Sequence, residues 1–398
     1  MKIKLANRLK GMNGGSMIDL LKATQIPGMI SFAGGFPAPE LFPAAEMAEV
    51  SQKVLEELPH LALQYSATEG YLPLRKHFAE RMERKVNKKV SSGEILITAG
   101  SQQGLDFVAK ALINPGDTII CESPTYLGAI NAFRAYEPNF IEIPTDEHGM
   151  RLSGLEKILA SEKNIKFIYI NPDFQNPGGR SWSIDRRRKL MELVEKYDIP
   201  VVEDNPYGEL YFEGKELPTI KSMDKNNHVI FLGTLSKILC PGYRLGWIYA
   251  SKDFISIFNT LKQAADLQCS TISQVEVSAY FDTYDIDAHI SSMKKVYSHR
   301  KNVMIKAMEK YFPKNVTYTN PKGGLFTWVT LPDGLDASCL QREKATPRGV
   351  AFVPGEAFYP SGEIKNNLRL NFSCMSEEKI IEGIQLLGKA IKEYIKAK

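Results

Sequence analysis

No run of apolar residues in this 398-residue chain approaches the length needed to cross a bilayer, and the amino terminus, MKIKLANRLKGMNGG, carries charge without the apolar core of a secretion signal. Neither membrane insertion nor export is indicated, and a reducing cytoplasm is the expected location. Cysteine is scarce. The five residues Cys121, Cys240, Cys269, Cys339 and Cys374 are scattered, odd in number and never paired as C-x-x-C, so neither a disulfide framework nor a zinc site is expected. Charge of one sign is lacking too: 50 Lys plus Arg against 46 Asp plus Glu leaves +4, too little over this length for a nucleic-acid surface. The one basic run, Arg186, Arg187, Arg188 and Lys189, follows Ser183 and Asp185 at a predicted helix start and reads as a solvated helix face. There is no internal repeat and no low-complexity tract.

Strands and helices are there instead, in alternation. Residues 1–45 are irregular, with a short helix expected around Met17 to Ala23 and then ISFAGGFPAPELFP, whose Gly and Pro argue for an extended arm. Helices are expected from about 46 and over 72–82. From 94 onward, strands at 95–98, 118–122, 140–144, 166–170, 199–204 and from 228 alternate with helices at 101–112, 125–136, 155–159 and 185–197. Apolar strands alternating with helices predict an α/β fold, a mainly parallel sheet covered by helices. After about 275 the texture changes to helices at 279–290 and 292–311, short strands at 317–319, 324–331, 350–353 and 367–372, and a final helix from 377. Two domains are therefore expected, a large one over 46–280 and a smaller α+β one made of 1–45 with 281–398.

In parallel sheets ligands bind beyond the carboxyl ends of the strands, so the residues just after each strand form one group. Lys237 follows Thr234 and Ser236 at a strand end, among small hydroxyl and apolar neighbours that hydrate an amine poorly and lower its pKa. Arg244, after Pro241 and Gly242, adds a second cation; two cations flanking two hydroxyls suit a phosphate. Gly100, Ser101 and Gln102 open a helix directly after a strand, where free amides and the helix dipole bind anions. Asp204 ends a buried strand and needs a cation or strong donor, such as a pyridinium nitrogen. Asn176 and Tyr207 can donate to a phenolate oxygen, and Tyr126 offers a ring for stacking. Arg369 lies within an apolar strand, where a substrate carboxylate would partner it. Gly34 and Gly35 allow close backbone approach. Together these parts describe a site for pyridoxal 5'-phosphate.

The order Tyr65, Gly100-Ser101-Gln102, Tyr126, Asn176-Pro177, Asp204 with Tyr207, Ser236-Lys237, Arg244 and Arg369 resembles the fold-type I, class I/II aminotransferases over nearly the whole chain. SFAGGFPAPELFP, PDFQNPGG, VVEDNPYGEL and LSKILCPGYRLGW are most similar to the branch of 2-aminoadipate, kynurenine and aromatic aminotransferases, which also includes the catalytic domains of MocR-type regulators. The resemblance makes Lys237 the Schiff-base lysine and proton shuttle, and Asp204 the partner of the pyridine nitrogen. It gives Asn176 and Tyr207 the ring hydroxyl, and Tyr126 the ring face. Ser101, Gln102, Thr234, Ser236 and Arg244 take the phosphate, with Tyr65 from a neighbouring subunit of a homodimer. Arg369, with Gly35 and Asn176, takes the substrate. Gly178 departs from the Asn-Pro-Thr-Gly of many relatives and puts only loop stiffness in doubt.

The implied reaction moves an amino group from an L-amino acid to a 2-oxo acid, 2-oxoglutarate by resemblance, in a ping-pong cycle. A lyase on the same fold would keep every cofactor residue. A regulator would need a DNA-binding domain ahead of the arm, which begins almost at Met1. No basic residue lies between Met12 and Asp19. With Met12, Met17 and Ile18, this suggests an arm that closes over aromatic or long aliphatic donors rather than aspartate; the resemblance adds 2-aminoadipate-like donors.

Overall fold

The computed structural model describes residues 3–11 and 28–398. The expected helix around Met17 to Ala23 and the closure by Met12, Met17 and Ile18 lie outside the described residues. After a short strand β1 (Ile30–Ser31), the chain builds a sheet from β2 (Ile95–Thr98), β3 (Thr118–Ser123), β4 (Asn139–Asp146), β5 (Gly149–Met150), β6 (Ile165–Ile170), β7 (Val201–Asp204), β8 (Val229–Thr234) and β9 (Gly246–Tyr249). Its order is β2-β9-β8-β7-β6-β3-β4-β5. Strands β8, β7, β6, β3 and β4 run parallel. β9 is antiparallel to both its neighbours, and β5 to β4. β3, β7, β8 and most of β6 are buried, which is why they read as unbroken apolar runs rather than alternating ones, whereas β4, near the sheet edge, is largely half-buried. The chain turns from β3 to β4 on one side and then crosses to β6, β7 and β8 on the other. The switch lies between β3 and β6, where a crevice opens at the strand ends.

A second, four-stranded antiparallel sheet contains β10 (Thr317–Tyr318), β11 (Phe326–Thr330), β13 (Val353–Pro354) and β14 (Asn367–Asn371). β12 (Val350–Ala351) pairs in parallel with β1, so the arm is held by the carboxyl-terminal part of the chain. The run expected as one strand over 350–353 is thus divided between two sheets, because the Phe352 amide turns aside to donate to Gln341 Oε1 at 3.1 Å.

Three other expectations are corrected. The helices placed at 279–290 and 292–311 are Thr271–Thr283 and Ile286–Tyr311. The break comes earlier because Asp285 caps the second helix, its carboxylate accepting from the amides of Asp287 and Ala288. β9 was not anticipated: Gly246–Tyr249 is a short apolar run hidden behind a loop. The basic run at 186–189 is not simply a solvated face, since Arg187 is 0% exposed. Its guanidinium pairs with Asp173 and donates to the carbonyls of Trp182, Pro172 and Pro218. Among the described residues, no helix is long and apolar enough to cross a membrane.

Candidate active site

The crevice holds a cavity of about 270 Å³ lined by residues from both sheets and the arm. Lys237 follows β8, and its Nζ donates to the Gly35 carbonyl at 2.7 Å. Burial, reinforced by the nearby charges of Arg369 and Arg244, lowers the amine's pKa to about 8. This is the desolvated lysine the sequence leads one to expect.

One wall is a cradle of donors. The Ser236 amide donates to Thr234 Oγ1 at 3.1 Å, and the two hydroxyls lie 3.0 Å apart. Arg244 is held in the left-handed region at φ 52° by the Pro241–Gly242 turn, its guanidinium 3.5 Å from Ser236 Oγ. Gly100, at φ 77°, opens the helix Ser101–Leu112 beside it; a Cβ there would stand 2.7 Å from Arg244 Nη2. The positive φ favours glycine, and the residues at that helix start, Ser101 and Gln102, line the cavity. Gln102 spends its side-chain amide on the Gly128 carbonyl at 2.8 Å and so faces the cavity with its backbone.

The floor carries Asp204 at the end of β7, 3% exposed. Its Oδ2 accepts from the Tyr169 hydroxyl at 2.8 Å, while the equally buried Oδ1 has no partner among the described residues. Burial raises this carboxyl to about 7, opposed by the Tyr169 hydrogen bond. An unmet acceptor at the bottom of a cavity fits a cationic ring N–H. Beside it, Asn176 Nδ2 lies 3.5 Å from the Tyr207 hydroxyl, and Asn176 Oδ1 accepts from Arg369 Nη1 at 2.7 Å. Tyr126 forms a side wall, its phenol pushed up to about 12 by burial and then by Asp204. Gly128 makes this possible: a Cβ there would come within 2.5 Å of the Tyr126 ring.

Arg369 reaches the cavity from β14. Nη2 donates to the Ala33 carbonyl at 2.7 Å, and the guanidinium lies against the rings of Phe326 and Phe358, 4.2 and 5.0 Å from their centroids. Burial lowers its pKa to about 10, against the raising effect of Tyr207 and Tyr126. Its hydrogen-bond partners among the described residues, Asn176 and Ala33, are neutral, and Nε is buried without a partner. Twelve of the thirteen site residues expected from sequence therefore meet on one cavity. The exception is Tyr65, which stands 78% exposed on a loop away from it.

The family model for aminotransferases of class I and II matches residues 29–387. The chain belongs to this family. It is 45% identical over 390 residues, 97% of this chain and 93% of the relative, to aromatic-amino-acid aminotransferase 1 of Thermococcus litoralis. Among solved structures, the multiple substrate aminotransferase of Thermococcus profundus superposes with a TM-score of 0.94 at 42% identity, covering 99% of this chain and 98% of that one. The α-aminoadipate aminotransferase of Thermus thermophilus, complexed with N-(5'-phosphopyridoxyl)-L-leucine, gives 0.93 at 38% identity, covering 99% and 98%. This aminotransferase uses pyridoxal 5'-phosphate, and Asp204 Oδ1 and the cradle fit that cofactor.

Sequence reasoning gave no role to Glu122, or to Asn171, which it placed at a strand end and which lines the cavity. Glu122, at the end of β3, accepts from the Asn171 amide and the Trp182 indole, each at 2.8 Å, and burial raises it to about 7. Asn171 accepts from the Asn176 amide at 2.8 Å and donates to the Asp204 carbonyl. Their roles are not legible in sequence, because their partners come from elements far apart in the chain. Gly178 has a visible consequence: a Cβ there would meet Gln175 Oε1 at 2.6 Å, so glycine leaves room for the Gln175 amide to reach the Pro124 carbonyl at 3.0 Å.

Proposed function

We propose that this aminotransferase takes aromatic, long aliphatic or 2-aminoadipate-like L-amino acids as donors, with 2-oxoglutarate as acceptor. The observation that carries this reading is that the desolvated Lys237 amine lines one cavity with Asp204 and Arg369, whose Oδ1 and Nε are buried without partners among the described residues. Phe36, Pro37 and Leu127 add apolar walls that would meet a long or aromatic side chain. The names of the relatives, aromatic and α-aminoadipate aminotransferases, point the same way.

When bound, pyridoxal phosphate supplies an aldehyde for the amine and an electron-withdrawing ring. In this reading Lys237 Nζ holds the cofactor, then carries the α-proton of the substrate, a task suited to an amine whose pKa is about 8. Asp204 Oδ1 accepts from the ring nitrogen and keeps it protonated. Asn176 and Tyr207 hold the ring hydroxyl, and Tyr126 covers one ring face. Ser101 and Gln102, with Thr234, Ser236 and Arg244, hold the phosphate. Arg369 binds the α-carboxylate, helped by Asn176 and the Gly35 backbone.

Every proposed cofactor contact comes from residues 65–244, which supports 46–280 as the cofactor-binding domain and 1–45 with 281–398 as the smaller one. A homodimer completes the site with Tyr65 of the neighbouring subunit. Five free thiols suit a reducing cytoplasm. The test compares kcat/KM for phenylalanine, leucine, methionine, 2-aminoadipate and aspartate, in the parent and in Arg369→Ala. We expect aspartate to be the poorest donor, and the variant to lose ~1.5–3 kcal/mol with every donor, the range for hydrogen bonds to charged groups. A preference for aspartate, or a variant that loses nothing, rejects the assignment.

A further inference from the structure

Tyr169 sits on β6, whose register places it opposite Val202 of β7. Side chains alternate along a strand, so Val202 and Asp204 share a face, and Asp204 is the diagonal neighbour of Tyr169, within reach of a long aromatic side chain. The phenol spans this gap and donates to Asp204 Oδ2 at 2.8 Å. Its ring is fully buried and fixed by the edge of Phe133, 5.4 Å between centroids at 78°. Two consequences follow from the geometry. The bond occupies Oδ2 and leaves Oδ1 as the unpartnered oxygen of a carboxylate that lines the cavity. The hydroxyl is also the one hydrogen-bond donor to this carboxylate among the described residues. A buried carboxylate with one donor depends heavily on it, because a hydrogen bond to the charged form opposes desolvation.

We propose that Tyr169 is a positioning residue that orients Asp204 and keeps it ionised for the cofactor's ring nitrogen, acting on the reaction through Asp204 alone. This rests on the reading of Asp204 as the partner of that nitrogen. Burial raises the carboxyl to about 7, and the hydrogen bond from Tyr169 opposes that rise. The other titratable or charged groups around the pair are Glu122 on β3, Tyr126, Tyr207, and the cations Lys237, Arg244 and Arg369. None of these donates to Asp204, so none substitutes for the phenol.

The test titrates resolved apoenzyme with pyridoxal phosphate across the pH range, in the parent, Tyr169→Phe, Asp204→Asn and the double variant. Tyr169→Phe should weaken binding at neutral pH at least about tenfold, equivalent to ~1.4 kcal/mol. It should also move the acid-side loss of affinity to higher pH, since a carboxylate without its donor protonates more readily. In the Asp204→Asn background the same substitution should change neither quantity, because coupled residues are non-additive. Equal losses in both backgrounds would mean that the tyrosine is merely structural, and an unchanged pH profile would overturn the proposal. If Asp204→Asn itself binds like the parent, the reading of Asp204 fails and the inference goes with it; if only Tyr169→Phe is silent, the inference fails alone. Should Tyr169→Phe not fold, 3-fluorotyrosine at 169 keeps the shape with a stronger donor. It must then move the acid-side loss to lower pH, and a shift the other way or none rejects the role.

Discussion

Lys237 and Arg369 are legible for the same reason: a cation among apolar residues is costly unless something meets it. The cost shows in their depressed pKa values, about 8 and about 10, each caused first by burial. For Lys237 the sign is useful. Its folded-state pKa lies below the ordinary lysine value, so the neutral amine is populated above about pH 8 rather than above 10. Covalent attachment of added pyridoxal phosphate to the apoenzyme should therefore quicken through about pH 8 and then level off. Lys237→Ala should show neither attachment nor turnover. Rapid borohydride trapping followed by mass measurement reads both, and a rate still climbing toward pH 10 would contradict the burial argument. Tyr169 is equally buried yet was invisible in sequence, because a tyrosine within IKFIYI has the pattern of any core aromatic.

Elements place these residues, and one link between elements was misread. Arg187, on the first turn of the helix Ile184–Tyr197, pairs with Asp173 in the loop after β6. Asp173 also accepts from Asn205 Nδ2 at 2.8 Å, just beyond β7. One buried pair thus ties a helix start to two of the loops that carry the site, the first ending in Asn176 and the second in Tyr207. Arg187→Met should cost ~3–5 kcal/mol, the penalty for leaving a buried charge without its partner. Adding Asp173→Leu should recover much of that loss. Denaturant midpoints decide it, and a single variant as stable as the parent would show that Asp173 finds another partner. Composition could not reveal this, since four successive basic residues look alike until a helix start turns one inward.

At the scale of the whole molecule, Leu55, Leu58, Leu61, Leu63, Tyr65 and Leu72 are all exposed within one short stretch, Leu63 by 70% and Tyr65 by 78%. So dense a set of apolar residues marks an interaction surface, and a second copy of the chain would cover it while bringing Tyr65 to the partner's phosphate cradle. Sedimentation should give a dimer. Mixed after reversible dissociation, Lys237→Ala and Tyr65→Ala should regain activity that neither has alone, because the hybrid holds one intact site. An active monomer, or a mixture without recovery, rules out the shared site.

The sequence by itself determined the parallel sheet, the strand ends and the chemistry gathered at them. Buried strands must be apolar throughout, and a polar residue ending one is conspicuous. Arg369 was readable in the same way, although it comes from the distant strand β14. Only the tertiary structure decided what stands behind those residues: the phenol under Asp204, the pair beneath Asn176, the division of 350–353 between two sheets, and the antiparallel insertion of β9. These depend on register and on which residues meet across elements far apart in the chain. Hydrophobic periodicity fixes which face is buried, not which partner waits there.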